Sequence, residues 1–250
     1  MFLRKSKKIP KFLLVFACLS SLFLLPPESL SAEISEVHVI KINGDTINPV
    51  TAGYIIDSID KAYHEEAECL VIELDTPGGL LTSTRLIVKK IMSAKIPVIV
   101  YIYPSGSRAG SAGVFITYAS HIAAMAPSTN IGAAHPVQMG GRGRERSVWD
   151  AVRDLMDSFS EKEKQSEERQ TDESKETDVM GGKILHDTVA FIKALANERN
   201  RNVEWAEKSV AESASITEEE ALKNNVIEII AKDEKDLLNK LDGMEVKIGD

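Results

Sequence analysis

The chain has 250 residues, 43% hydrophobic and 27% charged, with a formal net charge of −8. That balance excludes a mostly disordered chain, a collagen-like chain and a multi-span membrane protein, and it fits one catalytic-size domain with appendages. The acidic excess argues against general nucleic-acid binding, which rests on neutralising phosphates with lysine and arginine.

Residues 1–32 read as a secretory signal peptide. Arg4, Lys5, Lys7, Lys8 and Lys11 form a basic start, residues 12–25 run almost wholly apolar, and the small residues Ser29, Ser31 and Ala32 follow Pro26 and Pro27. This is the order of charge, apolar core and cleavage site that an export signal needs. The apolar run of 14 residues is shorter than the ~20 of a spanning helix; an uncleaved N-terminal anchor is the alternative. Export predicts a protein outside the cytoplasm. Cys18 belongs to the signal and leaves Cys69 alone in an apolar run, where a cysteine behaves as a small hydrophobe. No Cys/His cluster has metal-ligand spacing, so neither a metal nor a cofactor is expected.

Residues 33–250 form the expected folded domain. Alternation over 37–42 predicts a strand and helical spacing over 49–63 a helix. A short strand at 70–74 ends in Asp75-Thr-Pro-Gly-Gly79. A helix over 82–94 leads to a buried strand at 97–103, stopped by Pro104-Ser-Gly106; a helix over 111–120 and a strand at 121–126 follow. Strand and helix alternate three times with short connections, which predicts an α/β fold with a mostly parallel sheet covered by helices on both faces. The pattern then breaks at a charged insert over 140–180. Residues 148–159 have the spacing of a short amphipathic helix, whereas 160–178 hold eight acids, four bases and no apolar residue. Such a stretch predicts disorder or a solvated helix. Helical spacing resumes at Lys183 and runs to Asn200. Asn202 caps a helix over 203–210, Thr217 and Glu220 form a capping box, 226–230 is a last strand and 234–241 a last helix.

Two glycine-rich turns, 75–79 and 104–113, follow consecutive strands. In an open parallel sheet sites gather beyond the carboxyl ends of the strands, so both turns face one crevice. The Gly78-Gly79 pair lets backbone N–H groups approach a ligand. Ser111, flanked by Gly110, Ala112 and Gly113, stands at a helix start, near the positive end of the dipole. Together these are a nucleophile and potential oxyanion donors, the parts an acyl intermediate needs; glycine turns after strands serve phosphate binding as well. Ser105 and Ser107 read as turn formers or substrate-strand contacts, Ser128 and Thr129 as turn residues, and Asp75 as a turn acceptor.

Three motifs in order, Asp75-Thr-Pro-Gly-Gly79, Ala109-Gly-Ser-Ala-Gly113 and Met125-Ala-Pro-Ser-Thr-Asn-Ile-Gly-Ala-Ala-His-Pro136, together with the tail from Ser215 to Glu228, resemble the ClpP-like serine peptidase domain of the NfeD family, the stomatin-operon partner proteins related to signal peptide peptidase A. The resemblance covers about 35–245 apart from the insert. It implies a ClpP/crotonase-like fold and a membrane-associated endopeptidase with a Ser–Lys dyad, acting on apolar segments of a partner such as a stomatin-like membrane protein. It places Ser111 on the nucleophile, Lys183 on the general base, and Gly79 and Ala112 on the oxyanion donors, with Gly78 supporting the turn. Folds of this kind form homo-oligomers. The family's C-terminal membrane-spanning region and small β-barrel have no counterpart in these 250 residues.

A lysine serves as a base only where its charge is disfavoured. The sequence neighbours Gly181, Gly182, Ile184 and Leu185 offer Lys183 no carboxylate, and a helix start is an unfavourable place for an idle cation. His135, 24 residues after Ser111, is the alternative base, and it needs no shift to act near neutrality. A non-catalytic scaffold for stomatin-type complexes and an acyl-CoA enzyme of crotonase type are the rival functions. Export argues against the second, because CoA is an intracellular cofactor.

Overall fold

The computed structural model describes residues 36–136 and 167–248; for 167–180 it describes the backbone alone. The expected signal peptide and the expected helix at 148–159 lie outside the described residues. Among those described, no helix is long and apolar enough to cross a membrane.

Five strands make one parallel sheet: β1 (Val37–Asn43), β2 (Cys69–Asp75), β3 (Val98–Ile102), β5 (Ile122–Met125) and β8 (Ile229–Ile230), ordered β1-β2-β3-β5-β8. A smaller sheet joins β4 (Arg108–Gly110) in parallel to β6 (Asn130–Gly132), which pairs antiparallel with β7 (Ser215–Thr217). The helices are α1 (Pro49–His64), α2 (Leu81–Met92), α3 (Ala112–Ala119), α4 (Glu167–Glu198), α5 (Val203–Ala211), α6 (Glu218–Lys223) and α7 (Glu234–Leu241).

β2 and β3 read as continuous apolar runs because both faces of a central parallel strand are buried. Leu70, Ile72, Leu74, Val98, Val100 and Ile102 point to the side where Ile55 of α1, Ile87 of α2, Val114 of α3, Ile192 of α4 and Trp205 of α5 pack. Val71, Ile99 and Tyr101 point to the other side, against Leu237 of α7. Burying each large side chain contributes about 1.5–3 kcal/mol. The helix starts carry the expected signals. Asn48 accepts from the amides of Val50 and Thr51 at 2.8 and 3.0 Å ahead of Pro49, Asn202 accepts from Trp205, and Thr217 and Glu220 close the capping box.

An ion pair with a buried guanidinium orients α3. Arg201 Nη1 donates to the carbonyls of Thr117, Tyr118 and Ser120 at 2.8, 3.1 and 3.1 Å, covering the carboxyl end of the helix. Its Nε and Nη2 reach the two oxygens of Glu228 at 2.8 and 2.7 Å, and Glu228 also accepts from the Ala123 amide on β5. A guanidinium at this end complements the helix dipole. Residue 111 stands at the opposite end of the same helix.

The helix expected to open at Lys183 begins at Glu167 instead, so Lys183 lies in its interior and not at a dipole end. Of the insert at 140–180, the last fourteen residues are therefore helical in backbone and the remainder lies outside the described residues. Glutamate, glutamine, lysine and arginine sustain a helix without an apolar stripe.

Candidate active site

The turn after β2 is built around Thr76. Its hydroxyl donates to the Asp45 carbonyl at 2.7 Å and accepts from the Gly78 amide at 3.1 Å. Its amide donates to the Arg108 carbonyl and its carbonyl accepts from Gly110, so the turn is stitched to β4. Asp75 acts as the expected turn acceptor, taking the Arg108 amide at 3.0 Å. Ile47 then holds the glycine pair: its amide donates to the Gly78 carbonyl and its carbonyl accepts from Leu80, both at 2.8 Å. The backbones approach so closely that a Cβ on Gly79 would fall 2.1 Å from the Ile47 carbonyl oxygen. This hydrogen-bond pattern uses Gly78 and Leu80 and leaves the Gly79 amide unengaged among the described residues.

β4 delivers the chain to Ser111, whose backbone has φ +47° and ψ −104°, a conformation that costs a non-glycine residue about 1–3 kcal/mol. It is held there by its amide, which donates to the Gly132 carbonyl at 3.1 Å, and by its carbonyl, which accepts from Val114. The hydroxyl makes no helix-capping bond. Gly78, at φ +122°, faces it: a Cβ there would lie 2.6 Å from Ser111 Cβ and 3.2 Å from Oγ. The Ala112 amide opens α3 and has no protein acceptor among the described residues. Ser111, Gly78, Gly79 and Ala112, distant in sequence, are thus brought together.

Beside them lies a cavity of about 270 Å³. Gly79, Leu80, Leu81 and Thr84 form one wall, Ser111, Ala112 and Phe115 another, Ala134 and Pro136 a third, and Ile184 and Thr188 of α4 close it. Among the described residues, none of its lining side chains carries a charge. Lys183 and His135 flank this space without lining it: each is exposed, and their neighbours Ile184, Ala134 and Pro136 face inward. His135 Nδ1 meets the Val210 carbonyl at 3.0 Å, so Nδ1 carries the proton of the neutral ring and Nε2 is left as an acceptor.

Other candidates recede. Burial pushes the Cys69 thiol up to about 11, which suppresses its thiolate. His121 accepts the Val98 amide on Nδ1, and burial with Arg199 nearby lowers it to about 4, a neutral structural histidine. Ser107 is buried in the 104–107 turn. Among the described residues no group of three acidic, histidine or cysteine side chains is arranged to hold a metal. Sequence reasoning missed Thr76, Phe115, Ile184 and Thr188; the apolar Leu80-Leu81 directly after the glycine pair was the one local sign of a binding wall.

A serine thus stands at a strained strand-to-helix junction, beside unengaged backbone amides and an apolar cleft. Residues 36–230 match the model of the NfeD1b N-terminal domain, and the chain belongs to that family. It is 37% identical over 216 residues to the membrane-bound protease PH1510 of Pyrococcus horikoshii, an alignment covering 85% of this chain. The chain spans about 41% of that relative's length. Among solved structures, a serine-to-alanine mutant of the 1510-N membrane-bound stomatin-specific protease superposes with a TM-score of 0.68 at 37% identity, covering 86% of this chain and 88% of the other. A lysine-to-alanine mutant of that protease in complex with a substrate peptide gives 0.67 at 36% identity, covering 86% and 84%. The α/β fold with a parallel sheet and flanking helices is that of these protease domains.

Proposed function

We propose that this protein is a serine endopeptidase working through a Ser111–Lys183 dyad. The observation that carries the proposal is the Ser111 junction, its hydroxyl held over Gly78 at the mouth of the apolar cavity. Lys183, as the neutral amine, takes the hydroxyl proton as Oγ bonds to the scissile carbonyl carbon. The carbonyl electrons move onto oxygen, and the Gly79 and Ala112 amides donate to the oxyanion. As the tetrahedral centre collapses, the C–N bond breaks and the Lys183 ammonium delivers its proton to the leaving amine. A water molecule, deprotonated in turn by Lys183, attacks the acyl carbon; the acyl–Oγ bond then breaks, the Lys183 ammonium returns the proton to Oγ, and the acyl group leaves as the carboxylic acid, which ionises in solvent.

Lys183 is exposed in the free chain. A peptide laid along the cleft removes water from its amine, and desolvation disfavours the ammonium. The uncharged lining supports apolar residues next to the scissile bond. The serine and lysine variants described for the relatives support the dyad, and their stomatin specificity supports a stomatin-like membrane protein as partner. Export through residues 1–32, attachment to the outer side of the membrane and assembly into a homo-oligomer belong to the same proposal.

The test uses Ser111→Ala, Lys183→Ala and His135→Ala with an apolar peptide substrate. Cleavage is expected to vanish in the first two and persist in the third. Loss with His135→Ala and retention with Lys183→Ala would make His135 the base. Absence of Ser111 labelling by a fluorophosphonate would favour a scaffold.

A further inference from the structure

The carboxylate nearest to Lys183 along its helix is occupied elsewhere. Asp187 lies four residues beyond Lys183 on α4, and i,i+4 side chains of opposite charge pair readily. Asp187 is instead bonded to Arg85 of α2. Arg85 is supported in that position: its guanidinium lies 4.2 Å over the Phe191 ring, and that ring stacks on Phe115 of α3 at 5.5 Å. Phe115 is one turn past Ser111. A single chain of contacts therefore runs from the serine helix through two aromatic rings and Arg85 to Asp187, one turn from the lysine.

On α4 the other titratable residues near Lys183 are His186, three residues after it, and Glu176 and Asp178, seven and five before it and so outside its i±3 and i±4 positions. From the neighbouring elements, His135 has its Nδ1 engaged by Val210, and the described cavity walls contribute none. Among the described residues, Lys183 has no ion-pair partner. We infer that Arg85 is a positioning residue that sequesters the Asp187 carboxylate, so that Lys183 is free to lose its charge and act as the base. The inference rests on the dyad reading and adds to it a residue on a different helix. Without the guanidinium, Asp187 turns to the Lys183 ammonium and stabilises the protonated, inactive form.

The experiment is the pH dependence of the rate at which a fluorophosphonate labels Ser111, measured on the wild-type protein, Lys183→Ala, Arg85→Ala, Arg85→Lys, Asp187→Asn and Arg85→Ala/Asp187→Asn. Arg85→Ala is expected to move the midpoint of the rising limb upward by about 0.3 to 1 pH unit and to slow labelling at pH 7 by about 2- to 10-fold. Arg85→Lys keeps the pair and stays near wild type. Asp187→Asn alone leaves the midpoint within about 0.2 units, and added to Arg85→Ala it restores the wild-type midpoint. A merely structural role for Arg85 would lower the rate without moving the midpoint and without rescue by Asp187→Asn; either result overturns the inference. Labelling of Lys183→Ala at the wild-type rate would remove the dyad and this inference with it. Slow labelling of Lys183→Ala with an unmoved Arg85→Ala midpoint would remove this inference alone.

Discussion

Gly78 and Ser111 are so closely opposed that no side chain fits between them: a Cβ on residue 78 would lie 2.6 Å from the serine Cβ. The contact ties the turn that holds the amides to the junction that presents the hydroxyl. Gly78→Ala must displace one or the other, and φ +122° adds strain for any L side chain. The variant is expected to fold with a stability loss of about 1–3 kcal/mol and to lose at least ~10²-fold in Ser111 labelling rate, as for a displaced oxyanion donor. Urea unfolding and labelling kinetics on the same preparation check both.

Thr76 holds the same turn from beneath. Thr76→Val keeps the shape but removes the acceptor for the buried Gly78 amide, at a cost of about 1–3 kcal/mol. Turnover should fall while KM changes little, because the Gly79 amide is misaligned and the cavity walls are not. Thr76→Ser should recover most of the loss. Steady-state kinetics on a peptide substrate separates these outcomes.

The Arg201–Glu228 pair gives a stability prediction independent of chemistry. Arg201 is 4% exposed and meets three helix carbonyls and a carboxylate. Removing Glu228, itself half-buried, leaves the buried guanidinium without its counter-charge, so Glu228→Ala is expected to cost about 3 kcal/mol in urea unfolding, the low end for a buried pair. It also frees the carboxyl end of α3, and the double variant Arg201→Met/Glu228→Leu should recover part of the loss.

His121 sets a pH window. Its folded pKa is lowered from 6.5 to about 4, chiefly by burial and next by Arg199. The unfolded chain therefore takes up this proton before the folded one does. The histidine's contribution is fully present above pH 6.5 and is lost as pH falls toward 4. His121→Gln is expected to be less stable than wild type at pH 7.5, and its stability should fall less between pH 6.5 and pH 4.5. Urea midpoints at the two pH values measure the difference.

Much of this architecture was legible because its signals are local. β2 and β3 announce themselves as apolar runs between turns, and Asn48, Asn202 and Thr217 mark helix starts by side chains that can accept an amide. The Gly78-Gly79 turn was legible for the same reason, since few residues besides glycine tolerate the φ of +122° at Gly78, and Ser111 was legible from Gly110 and Gly113 around it. β4, β6 and β7 were not. Each is three residues of Arg-Ala-Gly, Asn-Ile-Gly or Ser-Ile-Thr, too short to show alternation, and each is held by pairing with distant chain. The first turns of α4 have no apolar periodicity, so the sequence leaves that stretch open between disorder and a solvated helix and marks a start only at Lys183. The cavity walls come from segments more than a hundred residues apart, such as Leu80 and Ile184, and no local pattern predicts that meeting.

Which nitrogen reaches the serine decides between the two bases. A crystal structure of the protein with a peptide boronate bound to Ser111 measures it. The dyad mechanism requires Lys183 Nζ within about 3.2 Å of the Ser111 Oγ or its boronate oxygens, with the Gly79 and Ala112 amides on the opposite oxygen. A boronate adduct in which Lys183 stays in solvent while His135 Nε2 occupies that place would contradict it.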